Sequence, residues 1–446
     1  PVVPAPRAAA PAPVSVPVQP AVPAPPPPTR PPRSVRTGAM ARVETACARG
    51  YHRVTGFALA PYQTAVIRIG FAFTWLCFLL REWPHRRELY GPNGPFTFDM
   101  ARELTDGNHA FSVLVWWDST AWFELVYTLA IASSALLMLG WRTRTMSVLF
   151  MIGVLSLQNR SIFLGDGGDN VIHLMSTYLV LTRCGQVWSL DARRSAREAA
   201  RRQWREAVRP EQANRDTAGV ALWSLAGISL LLAQLLTEDR LRLTADGPLP
   251  GLGWGAVLWG LWVAQGLWWL VRRYAPGEPR GVLDALANLA HNAALLVIMT
   301  EVCLIYATAG WYKIQGSRWQ DGTALYYPLH LDYFSPWPAL ADLLAGSGLV
   351  VMVLTYGTVM VQVAFPFTVF NRRIKNGLIV LMMMEHIGIA ILLGLPFFSL
   401  AMIAADAVFL PTGFLRWLGR RLGRLRDRLL PAGGGAAAPV PGAGHG

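Results

Sequence analysis

Ten apolar stretches of about twenty residues each dominate this chain, at 62–80, 122–141, 145–163, 169–187, 218–236, 252–271, 287–310, 345–369, 376–394 and 396–412. A helix needs ~20 residues to cross the hydrocarbon core of a bilayer. Inside that core every backbone N–H and C=O must be bonded within the segment, so the helix is the form open to each run. The sequence predicts an all-α, polytopic transmembrane bundle of about ten spanning helices with disordered tails. Composition agrees: 53% of residues are hydrophobic and 15% charged, where a soluble domain carries about 25% charged. The 18 Trp suit the membrane–water boundary. The fourth run is the weakest, because Asp169, Asn170, His173 and Arg183 interrupt it.

Charge in the connections sets a topology. Arginines cluster before the first run and after the second, fourth, sixth, eighth and tenth, as in Arg193, Arg194, Arg197 and Arg201, or Arg372 and Arg373 with Lys375. The connections at 81–121, 164–168, 237–251, 311–344 and 394–396 are mixed or acidic. The positive-inside rule makes every second connection, and both termini, cytoplasmic. The expected location is a plasma membrane, crossed many times. The formal net charge of +13 would suit nucleic acid. These arginines follow membrane topology instead, so the bilayer is the expected partner and nucleic acid is not.

Residues 1–55 are rich in Pro, Ala and Val and read as a disordered cytoplasmic tail without the apolar core of a signal peptide. Residues 56–413 form the membrane domain. Residues 414–446 read as a basic, then Gly/Ala/Pro-rich, cytoplasmic tail. Cys47, Cys77, Cys184 and Cys303 show no CxxC or Cys/His spacing, so neither a disulfide framework nor a metal site is expected.

Ionisable side chains within membrane segments are costly and mark function by default. Here they are Arg68, His173, His291, Glu301, Lys313, Glu385, His386 and Asp406, whereas Glu124 and Arg160 lie near run ends and are expected to reach water. Lys313 stands out, because Lys313 and Lys375 are the only lysines among 40 basic residues. Arginine cannot give up its proton, whereas a partly desolvated lysine can act as a base. The alternative is a lysine snorkelling to the interface. Asn288, His291 and Asn292 share a helix face at spacings of three and four, a pattern that suits interhelical hydrogen bonding. Glu385 and His386 are adjacent and point ~100° apart around a helix. Asp166-Gly167-Gly168-Asp169-Asn170 reads either as a helix cap or as a cation site, without EF-hand spacing.

Three ordered segments carry a family resemblance: QNRSIFLGDGGDNVIHLMSTYLVLTRCGQVWSLDA (158–192), YKIQGSRWQDGTALYYPLHLDYF (312–334) and HIGIAILLGLPFFSLAMIAADAVFLP (386–411). Together they resemble the bacterial HTTM (horizontally transferred transmembrane) family, related to the vitamin K-dependent gamma-carboxylase. The likeness covers about 60–190 and 287–412, with 218–275 as an inserted helical pair. The carboxylase deprotonates reduced vitamin K with a lysine. The resemblance places that role on Lys313, in Gly310-Trp311-Tyr312-Lys313-Ile314, and a histidine role on His386. Trp319 and Asp321-Gly322 match the Trp and acidic-Gly pair that follow, and Asp166, Asp169, Asn170, Tyr326 and Glu385 are supporting candidates. The carboxylase has two consecutive lysines where this chain has Tyr312-Lys313.

The resemblance implies an outward-facing proton-transfer site, with Lys313 as base toward a quinone-like or peptide substrate and a reduced, vitamin K-like quinone as cofactor. Some family members assist maturation of a secreted toxin peptide. That implies a second class of role, a non-catalytic factor for a secreted peptide or a soluble partner protein. A transporter is a third reading.

Overall fold

The structure is a computed structural model that describes residues 39–206, 217–237, 241–245, 251–275 and 277–429. The Pro-rich stretch 1–38 and the Gly-rich stretch 430–446, both expected as disordered tail, lie outside the described residues, as do parts of the 237–251 connection. The chain divides into two units, Pro1–Tyr51 and His52–Gly446. Described residues of the first belong to α1 (Ala39–Gly56), so the tail expected to run to residue 55 is helical from Ala39.

The second unit is built from helices. They are α2 (Pro61–Glu82), α3 (Arg86–Tyr90), α4 (Phe98–Gly107), α5 (Thr120–Leu139), α6 (Thr143–Arg160), α7 (Gly167–Leu179), α8 (Leu190–Glu206), α9 (Thr217–Leu236), α10 (Trp254–Tyr274) and α11 (Glu278–Gln315). They continue with α12 (Ser317–Gln320), α13 (Tyr326–Leu329), α14 (Pro338–Ala345), α15 (Gly348–Thr368), α16 (Arg372–Leu392), α17 (Pro396–Asp406) and α18 (Thr412–Leu429). A two-residue antiparallel pair, Thr244–Ala245 with Gly251–Leu252, is the one sheet among the described residues.

Seven described stretches are long and apolar enough to cross a membrane: Pro61–Tyr90, Thr120–Leu139, Thr217–Leu236, Trp254–Tyr274, Glu278–Gln315, Gly348–Thr368 and Arg372–Leu392. An eighth arises only if α17 and α18, bent by 118° across a short break, are counted as one span. The protein is thus an all-helical chain compatible with a membrane, and seven of the ten expected spans meet the criterion. The other three differ for visible reasons. Polar residues at both ends dilute α6, from Thr143 and Arg144 to Gln158, Asn159 and Arg160. Helix α7 is 13 residues, about 20 Å at 1.5 Å per residue, and so falls short of the ~30 Å core. Helix α17 is 11 residues.

At the centre α2 packs against α5 and α17, α11 against α15, and α16 against α17. A Cβ on Gly70 would overlap the Ala404 methyl, so α2 and α17 meet backbone to backbone, as small residues allow in membrane helices. Several of the polar residues singled out in the sequence prove to be fasteners in this packing. The fully buried Arg68 guanidinium donates to the carbonyls of Leu137, Met138, Cys184 and Trp188. Two of those carbonyls end α5, where free C=O groups and the negative end of the helix dipole suit a cation. His291 Nδ1 accepts from the Arg183 N–H at 2.8 Å, and its Nε2 reaches the Leu59 carbonyl at 2.7 Å, so the ring is the neutral Nε2–H tautomer. Asn288 and Asn292 bind backbone groups between Val54 and Leu59, which makes this trio the latch for the entry to α2. Arg160 does not reach water. It is 1% exposed and donates to the Gly91 and Phe96 carbonyls.

Helices α9 and α10 form a peripheral pair; only 6% and 11% of their apolar windows are buried. A reciprocal lock holds them. The Trp223 and Trp262 rings stack at 4.1 Å, and each indole N–H donates to the other's backbone carbonyl, at 3.0 and 2.9 Å. Each ring lies over a glycine of the opposite helix, Trp223 on Gly266 and Trp262 on Gly227, four residues beyond the partner tryptophan. Trp223→Ala and Trp262→Ala are each expected to cost about 2 kcal/mol. The double variant should cost less than the sum, because both singles break one unit. Unfolding in mixed micelles measures it, and additive losses would contradict the lock.

Candidate functional site

Helix α11 continues beyond the apolar run 287–310 and carries Lys313 in its last turn. Its glycine Gly310 lies against Val363 of α15, so close that a Cβ there would crowd the valine side chain. That approach brings Lys313 Nζ within 2.8 Å of Gln362 Oε1. The Gln362 amide N–H donates in turn to Glu385 Oε1 on α16. The Trp319 ring lies 5.2 Å from Lys313 Nζ, within cation–π range. Lys313, Gln362 and Glu385 therefore form one hydrogen-bonded line across three helices.

A second line lies deeper. Tyr306 precedes Lys313 by two turns on the same face of α11, about 10 Å along the axis. Its hydroxyl oxygen is 2.8 Å from His386 Nε2 and 2.9 Å from Asp406 Oδ1. All three residues are buried: Tyr306 and His386 are 1% and 2% exposed, and Asp406 is fully enclosed. One phenolic proton can serve only one neighbour. Donated to Asp406, it leaves the oxygen to accept from His386 Nε2–H. Donated to His386, it requires a protonated Asp406 to donate back. The remaining atoms, His386 Nδ1 and Asp406 Oδ2, have no hydrogen-bond partner among the described residues. Phe365, Phe398 and Phe409 wall the group with rings, Phe398 lying 5.6 Å from His386. Adjacent in sequence and divergent around α16, Glu385 and His386 each serve a different line.

No protein-family model, curated protein or solved structure matches the chain.

The predicted residues separate into two sets. Lys313, Trp319, Glu385 and His386 come together around α11, α15 and α16. The turn at Asp166 does not join them. Asp166 caps α7 by accepting from the Gly168 and Asp169 N–H groups, and Asp169 returns the bond to the Asp166 N–H. One oxygen of each carboxylate is engaged in a capping box, so the cap is the reading the geometry favours. Asn170 is exposed. Asp321 lies in the exposed connection after α12, where the Thr323 hydroxyl and the Arg318 guanidinium hold its carboxyl below the usual range. Tyr326 stacks on His330 at 4.0 Å, in the same connection. Tyr306 and Gln362 escaped the sequence reading. The signal for Tyr306 was its seven-residue offset from Lys313. Gln362 is an uncharged side chain in an apolar run, where hydrogen bonding between helices is the ordinary explanation.

Proposed function

We propose that this is a multi-pass plasma-membrane protein of the HTTM type, related to the membrane domain of the vitamin K-dependent carboxylase. In this reading α6, α7 and α17 complete a ten-segment bundle, α9 and α10 are an inserted pair, both termini are cytoplasmic, and Lys313 faces outward. The packing of α6 between α5 and α7, and of α17 between α2, α7 and α16, supports placing the short helices within the bundle.

The observation that carries the reading is the line from Lys313 through Gln362 to Glu385 beside the Trp319 ring. A neutral lysine amine can take a proton from a substrate hydroxyl, and Gln362 holds the amine in place for it. The Trp319 ring beside Lys313 offers flat apolar surface that fits a reduced quinone. Such a group would supply an acidic hydroxyl. Lys313→Arg keeps the charge and removes the base. The protein in nanodiscs, given a reduced naphthoquinone, is expected to form the quinolate ~100-fold or more slowly on this change, read from the quinolate absorbance. Undiminished quinolate formation in the arginine variant would sink the assignment.

A second reading rests on a different observation. The connection between α11 and α15 exposes Tyr333 at 85% and Trp337 at 62%. Exposed aromatics of this kind suit a secreted peptide or soluble partner. In that case the partner co-purifies and Lys313→Arg is silent.

A further inference from the structure

We propose that α18 is a membrane-surface helix that takes the headgroups of anionic phospholipid. Helix α17 and its short extension end at Phe409, and α18 leaves at 118° to them after a break at Leu410 and Pro411. That angle is nearer to perpendicular than to continuation, so α18 runs along the layer that its neighbours cross. Its start is fastened to the bundle. The Gln63 amide donates to the Leu410 carbonyl at 2.8 Å and to the Thr412 hydroxyl at 2.9 Å. Leu415 is 1% exposed, Gly419 lies against the Trp188 indole, and the Arg416 guanidinium covers the Tyr62 ring.

Beyond that anchor the helix is two-faced. Leu415, Leu418, Leu422, Leu425 and Leu429 recur at spacings of three and four, which makes one apolar stripe. Arg416, Arg420, Arg424 and Arg428 recur every four residues on the other side. Only the start of the leucine stripe is used for packing; Leu422, Leu425 and Leu429 are 56%, 51% and 70% exposed. The Phe414 and Trp417 rings stack beside it, aromatics of the type that settle at the interface. In sequence α18 holds six arginines and one acid, Asp427.

Charge decides between occupants. Two copies of α18 joined along their leucines would bring Arg421 and Arg426, which border the stripe on its two sides, against like charges of the other copy. An anionic leaflet instead accepts the leucines at its acyl boundary and the guanidinium groups at its phosphates. Seven neighbouring stretches suited to crossing a bilayer put such a surface within reach of the helix.

The test uses the full chain in nanodiscs, with a fluorophore on Leu425→Cys in a Cys47→Ser background, since Cys47 is the exposed native thiol. Replacing part of a phosphatidylcholine bilayer by phosphatidylglycerol is expected to reduce quenching of the label by acrylamide, an uncharged quencher, by at least ~5-fold, about the gain from one arginine near an anionic surface. High salt should restore quenching. Arg420→Gln with Arg424→Gln and Arg428→Gln should abolish the lipid dependence while elution volume is unchanged. Equal quenching in both lipids overturns the proposal. So does shielding that follows the number of protein copies per disc, because a second copy then covers the stripe.

Discussion

Replacing Arg68 by Met is expected to cost at least ~4 kcal/mol, enough to leave little folded protein in detergent. The side chain is fully buried and its guanidinium meets four backbone carbonyls from two separate segments. A methionine of similar length fills the volume but leaves those carbonyls without donors, and a buried carbonyl that loses its partner costs about 1–3 kcal/mol. Reinforcement from Asp191 makes the junction one unit. That carboxylate accepts from the Arg142 and Thr143 N–H groups and so caps α6, while the Asp191 N–H donates to the Gly140 carbonyl. Gly140 sits at φ +74° against Ser189, a position that admits no side chain. Arg68→Lys keeps the charge but loses the planar fork, so an intermediate loss is expected. Thermal unfolding and the monodisperse fraction measure it. A methionine variant that melts within a few degrees of the parent would show that the four bonds contribute little.

Tyr306→Phe is expected to destabilise by about 2–4 kcal/mol, although it removes a single oxygen. Among the described residues its hydroxyl is the only hydrogen-bond partner of either the His386 or the Asp406 side chain. Without it the whole polar surface of both is buried and unpaired, which is the costly half of the hydrogen-bond balance. Tyr127→Phe is the control. Tyr127 is equally buried, but its hydroxyl donates to one acceptor, the Leu79 carbonyl. About 1 kcal/mol is expected there. Equal losses in the two variants would mean that His386 and Asp406 find other partners.

The apolar runs of α2, α5, α9, α10, α11, α15 and α16 were legible because length and hydropathy are local properties of a chain. The shorter helices were not. The turn that follows α7 is held by the Arg183 N–H on His291, over a hundred residues away in sequence. Site residues follow the same division. Lys313 was visible through rarity, His386 and Glu385 through charge in an apolar run. The two-line arrangement was invisible, since it depends on Gly310 letting α15 approach α11. Asp166 and Asp169 looked like ligands because a capping box and a cation site draw on the same residue types.

The Arg68 clamp also dictates an order of events in synthesis. Its acceptors lie 69, 70, 116 and 120 residues further along the chain. At about 5–20 residues per second, the last of them emerges roughly 6–24 s after Arg68 itself. In the proposed membrane setting α2 sits in the bilayer with an unpartnered guanidinium until Leu137 and Met138 emerge, after roughly 3.5–14 s, and lacks its full set until Trp188 follows. The apolar residues of the helix, whose most apolar 18-residue window has a mean hydropathy of 1.6, must hold it there alone.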